Sequence, residues 1–107
     1  MSKRSAELLL DDIREAIERI ERYTGNLSLD GFMADEKTQD AVVRNLEIIG
    51  EAANRLPQEF RAQLADIEWP KIVGLRHRIV HDYFGIDLKI IWRIINEDLL
   101  VFKAQLQ

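Results

Sequence analysis

Residues Asp35 to Leu56 read DEKTQDAVVRNLEIIGEAANRL, and this stretch decides the fold class. Val42, Val43, Leu46, Ile49, Ala53 and Leu56 recur at three- and four-residue steps, and Ile48 and Ala52 widen the stripe. That spacing is one face of an α-helix and not the alternation of a strand. Asp35 and Glu36 put negative charge at the amino end, where the helix dipole favours it. Pro57 stops the helix and can open the next. Gly50 in mid-helix costs about 1 kcal/mol against alanine. A close approach by another helix would explain it, and so would simple tolerance.

The same period extends in both directions. Leu9, Ile13, Ala16, Ile17, Ile20 and Thr24 predict a helix over about Ser5–Thr24, with Ser5 as N-cap and Gly25-Asn26 as its end. Gly25 to Ala34 reads as a loop. After Pro57 a short helix runs to about Ala65. Trp69-Pro70 opens a fourth, predicted to reach Phe84 and stop at Gly85. Asp87 caps a last helix that reaches almost to Gln107. Its main stripe is Leu88, Ile91, Trp92, Ile95, Leu99, Phe102 and Leu106, and Ile90, Ile94 and Val101 make a second. A helix apolar on two sides wants two partners: the domain's own core and a second subunit, or burial within one bundle. The expected architecture is all-α, one domain over residues 1–107, an antiparallel bundle of four to five helices.

Composition narrows the chemistry. The 107 residues contain no cysteine, which excludes disulfides, thiol nucleophiles and thiolate metal sites. With no signal-peptide core and no apolar run near the roughly 20 residues that span a bilayer, the expected location is cytoplasmic, away from any membrane. The net charge of −4 argues against an indiscriminate nucleic-acid binder. It is unevenly spread: Lys71 to Arg93 holds Lys71, Arg76, Arg78, Lys89 and Arg93 against Asp82 and Asp87. A basic surface on an acidic body suits one phosphate-bearing substrate, although mixed surface charge is the plainer explanation.

The chemistry-bearing segment is Arg76-His77-Arg78-Ile79-Val80-His81-Asp82-Tyr83. On an uninterrupted helix with Ile72 at zero, Leu75, Ile79 and Tyr83 fall within about 60°, and Arg76 lands among them at about 40°. A guanidinium there must snorkel, pair with an acid such as Glu47, Glu51 or Asp82, or line a polar cleft. His77 and His81 lie at the polar edge of the arc, and Arg78 and Asp82 can pair at i, i+4. His81 in a last helical turn is suited to general acid–base work near neutral pH, and the Tyr83 hydroxyl can share its cleft. His77 and His81 also have zinc-pair spacing, but with no obvious third ligand the expectation is no metal and no cofactor.

Arg76, four residues, His81, one residue and Tyr83 form an R-x4-H-x-Y pattern on a late helix of a small helical chain. Together with the wording of Asp35–Ala53, this resembles the HEPN superfamily, and in particular its HepT-like toxins, over essentially the whole chain. The resemblance implies a homodimer whose signature helices face each other across a composite cleft. It implies a metal-independent endoribonuclease toxin of a type VII-like toxin–antitoxin system, acting on RNA. Its partner would be a minimal nucleotidyltransferase antitoxin that adenylylates the motif tyrosine. Arg76 and His81 match the catalytic positions and Tyr83 the modified one; His77 and Arg78 stand beside them as substrate-binding candidates. His77 occupies a place that is often Asn in the family, a variation that shifts hydrogen bonding. The alternative is a non-catalytic HEPN module that binds a nucleotide or docks a nucleotidyltransferase.

Overall fold

The computed structural model describes residues 4–79 and 87–107, and its regular structure is helical throughout, with no strand among those residues. Helix α1 spans Ala6–Thr24, and Ser5 caps it by accepting from the Leu8 N–H. Its buried face is Leu9, Ile13, Ala16, Ile17, Ile20 and Thr24, the predicted stripe. The buried Thr24 hydroxyl donates to the Ile20 carbonyl at 2.7 Å, which satisfies it inside the helix.

Gly25 to Ala34 is not a plain loop. It holds a short helix α2, Leu29–Met33, capped by Ser28. Phe32 on α2 is fully buried and packs on Trp92 with ring centroids 5.3 Å apart. No period was legible here because a single helical turn presents one buried residue, too few to repeat.

Helix α3 spans Glu36–Arg55, with Asp35 accepting from the Thr38 N–H and Leu56 ending it. It buries Val42, Leu46, Ile49, Ala52 and Ala53, whereas Val43 and Ile48 are only partly covered. The start of α1 and the end of α3 line one groove, through Arg4, Leu9 and Asp12 on one side and Glu51, Ala52 and Arg55 on the other. The two helices are therefore antiparallel. Pro57 precedes α4, Gln58–Gln63. The indole N–H of Trp69 then donates to the carbonyls of Arg61 and Leu64, tying off the end of α4.

The helix expected from Trp69 onward is two helices: α5, Trp69–Val73, and α6, Leu75–Ile79. Gly74 separates them. Its N–H donates back to Pro70, and its carbonyl accepts from both His77 and Arg78, so Gly74 closes one helix and starts the next. The reason is packing. Gly50 of α3 lies against this break: a Cβ on Gly50 would stand 3.3 Å from the carbonyl oxygens of both Ile72 and Val73. The close approach that Gly50 allowed for is real. The predicted run from Val80 to Gly85 lies outside the described residues. The Asp87 N–H donates to the Ile79 carbonyl at 3.0 Å, so the flanking residues Ile79 and Asp87 sit side by side.

The last helix is α7, Leu88–Arg93, then a π-helical turn, Ile94–Asp98, then α8, Leu99–Gln105. Asp87 caps it through the N–H groups of Lys89 and Ile90. Ile91, Ile94, Ile95, Leu99, Phe102 and Leu106 are buried, while Leu88, Ile90 and Trp92 are half-buried and Val101 is exposed. Glu21–Lys103 and Arg14–Leu106 contacts run α8 antiparallel to α1. Among the described residues no helix is long and apolar enough to cross a membrane.

Candidate functional site

The break at Gly74 changes which basic residue faces inward. A wheel carried unbroken from Ile72 puts Arg76 in the apolar arc. The helix restarts at Leu75 instead, so Ile72 no longer shares its phase, and Leu75 and Ile79, one turn apart, alone mark the buried face of its described part. Arg76 and His77 stand exposed on the outer side. Arg76 is therefore not a buried guanidinium, and burial puts no constraint on its head group.

Both residues line an open cleft of about 530 Å³ between α3 and the α5–α6 break, with Glu47, Gly50, Glu51, Asn54 and Pro70. Glu47 and Glu51, two of the acids considered for Arg76, share its cleft, yet neither forms an ion pair with it. Glu51 instead pairs with Arg55 at 2.9 Å. The cleft is mixed in sign and open to water, so its exposed donors are available to an incoming anion.

Arg78 is the half-buried arginine. One of its nitrogens, Nη2, meets the Asp98 carboxylate at 2.6 Å, across 20 residues of chain, and both side chains are about one-third exposed. Its other nitrogen, Nη1, is buried and finds no acceptor among the described residues. The expected pairing partner Asp82 lies outside the described residues, as do His81 and Tyr83. The structure thus brings Arg76 and His77 together at one cleft and turns Arg78 to the opposite side of α6. It does not report on the remaining motif positions, nor on the His77–His81 pair considered for zinc.

Asp98 was not singled out from the sequence, although a signal was present. It stands three and four residues after Ile95 and Ile94, on the apolar stripe of the last helix, where an unpaired acid is costly. A carboxylate at such a position calls for a basic partner from another element.

An all-helical bundle with a basic, histidine-bearing segment exposed beside a cleft is consistent with the HEPN-like fold that the R-x4-H-x-Y pattern implies. The family model described as "Ribonuclease HepT-like" matches residues 13–107, and the chain belongs to that family. It is 40% identical over 105 residues to "Probable ribonuclease HepT" of Thermococcus cleftensis, an alignment that covers 98% of this chain and 96% of that one. It is 36% identical over 107 residues to "Putative RNase MJ1380" of Methanocaldococcus jannaschii, covering 100% and 98%. In a third relative, "Gamma-glutamylcyclotransferase and putative RNase MJ0434" of the same archaeon, the match covers 97% of this chain and 47% of the relative, at 36% identity. No solved structure matches the chain significantly.

Proposed function

We propose that this chain is a metal-independent endoribonuclease that cleaves RNA through the substrate's own 2′-hydroxyl. The observation that carries the proposal is the exposure of Arg76 and His77 on the outer side of α6, at the rim of the α3 cleft, in a chain of the HepT-like ribonuclease family. A guanidinium held in a core could not meet a phosphate, whereas one presented on the surface can.

The reaction needs three services. A base removes the 2′-hydroxyl proton, positive charge holds the phosphorane, and an acid protonates the departing 5′-oxygen. The 2′-oxygen bonds to phosphorus as the phosphorus–5′-oxygen bond breaks, leaving a 2′,3′-cyclic phosphate and a 5′-hydroxyl. One Arg76 and one His81 are too few for all three services. Two copies across a symmetric interface supply two of each, so the working unit is a homodimer with a composite cleft. One His81 is the base and its symmetry mate the acid, while both Arg76 side chains hold the phosphate. His77 assists substrate binding at the cleft it shares with Arg76, and Tyr83 orients the phosphate or the base.

This ribonuclease is a toxin, neutralised by a nucleotidyltransferase antitoxin that adenylylates Tyr83. The added nucleotide brings bulk and negative charge into an anion-binding cleft. The test is expression of the wild type beside Arg76→Ala and His81→Ala. Growth arrest with RNA breakdown by the wild type alone supports the proposal. Three folded, unmodified and equally harmless proteins would refute it in favour of a docking module.

A further inference from the structure

The Arg78–Asp98 pair lies on the far side of α6 from the Arg76 cleft, and the π-helical turn explains its geometry. On a regular helix with Ile91 at zero, Ile94, Ile95, Asp98 and Phe102 fall at about 300°, 40°, 340° and 20°. Asp98 would then point into the core between the buried isoleucines. The π turn inserts one residue, and the Leu99 N–H donates to the Ile94 carbonyl five residues back. Everything beyond it is set back by about 100°. Leu99 takes the core position, 3% exposed, and Asp98 swings to the edge, where its carboxylate meets Arg78 at 2.6 Å. A π turn gives up regular hydrogen bonding and frequently marks a functional site.

We propose that Asp98 is a positioning residue for the α6 segment: its bond to Arg78 sets the rotation of α6 and so the direction in which Arg76 and His77 face the cleft. The described part of α6, Leu75–Ile79, starts at the Gly74 break, so its rotation is set by its side-chain contacts as well as by the chain before it. Its anchors are buried Leu75 and Ile79, which resist withdrawal from the core, and the Arg78–Asp98 pair, which resists rotation about the axis. Arg76 and Arg78 are about 200° apart on such a helix, so fixing one on the α7–α8 side turns the other outward.

The inference rests on the ribonuclease reading for its consequence and on the fold alone for its mechanism, so two readouts are needed. Hydrogen exchange is measured at the His77 and Arg78 amides, both bonded to Gly74, and at α3 amides as an internal standard. In Asp98→Asn, α6 protection falls about tenfold or more while α3 protection is unchanged. RNA-cleavage kcat falls about tenfold or more with KM unchanged, because Arg76 and His77 stay at the cleft while their alignment is lost. The exchanged double variant, Arg78→Asp with Asp98→Arg, restores α6 protection. Unchanged α6 protection in Asp98→Asn overturns the proposal, and so does a local loss of protection with full kcat. A wild type that cleaves no RNA refutes the ribonuclease reading, and the exchange arm still decides whether Asp98 holds α6.

Discussion

Arg76 and Phe32 are opposite cases of what a single side chain can be asked to do. Arg76 is exposed and forms no ion pair among the described residues. Arg76→Ala is therefore expected to change stability by no more than about 0.5 kcal/mol in thermal or denaturant unfolding. On the proposed mechanism it lowers RNA cleavage by about a hundredfold or more. Phe32 is fully buried against Trp92, so Phe32→Ala is expected to cost about 3–5 kcal/mol, read as a lowered unfolding midpoint. Asp35 adds a pH signature. The Thr38 hydroxyl, at 2.7 Å, and then the Thr38 N–H, at 3.1 Å, hold its carboxyl below the usual carboxylate range. A depressed value in the folded state gives stability that is fully present above the unfolded value of about 4. That stability is lost as pH falls through the folded value. Asp35→Asn removes the ionised acceptor, so it should lower the midpoint at pH 7 slightly and flatten the acid limb of the midpoint-against-pH curve.

At the level of elements, the long periodic helices were legible and the breaks were not. The stripes of α1 and α3 repeat over four or five turns, and their caps Ser5 and Asp35 sit where the first apolar residue begins. The split at Gly74 and the π turn at Ile94–Asp98 leave no such trace, because each is a local response to a neighbouring element. Gly74 breaks the helix where α3 presses on it through Gly50, and the π turn moves an acid out of the stripe. This is why an unbroken wheel put Arg76 inside and left Arg78 to a local pair. The candidate residues were named by motif, while the facing of Arg76, His77 and Arg78 was set by tertiary packing. Gly50→Ala tests the close approach. Alanine gains about 1 kcal/mol of helix propensity, and crowding two backbone carbonyls costs about 1–3 kcal/mol. Those carbonyls belong to α5 and cannot rotate aside as a side chain would. The expected outcome is a net loss of about 1 kcal/mol by chemical denaturation; a gain would show that α5 yields.

The described residues have their core between α1, α3 and α5–α8, and an exposed edge of mixed charge where α6 meets the α3 cleft. One protomer offers that edge a single Arg76, so the proposed chemistry demands a second copy. The central claim is metal-independent RNA cleavage, and the most direct measurement uses a synthetic RNA oligonucleotide. The purified chain, shown by intact mass to be unmodified, is incubated with it in the presence of a chelator, beside folded Arg76→Ala and His81→Ala. The account predicts that only the wild type produces fragments ending in a 2′,3′-cyclic phosphate, with 5′-hydroxyl partners. Intact RNA in all three reactions, or equal cleavage in all three, would contradict it.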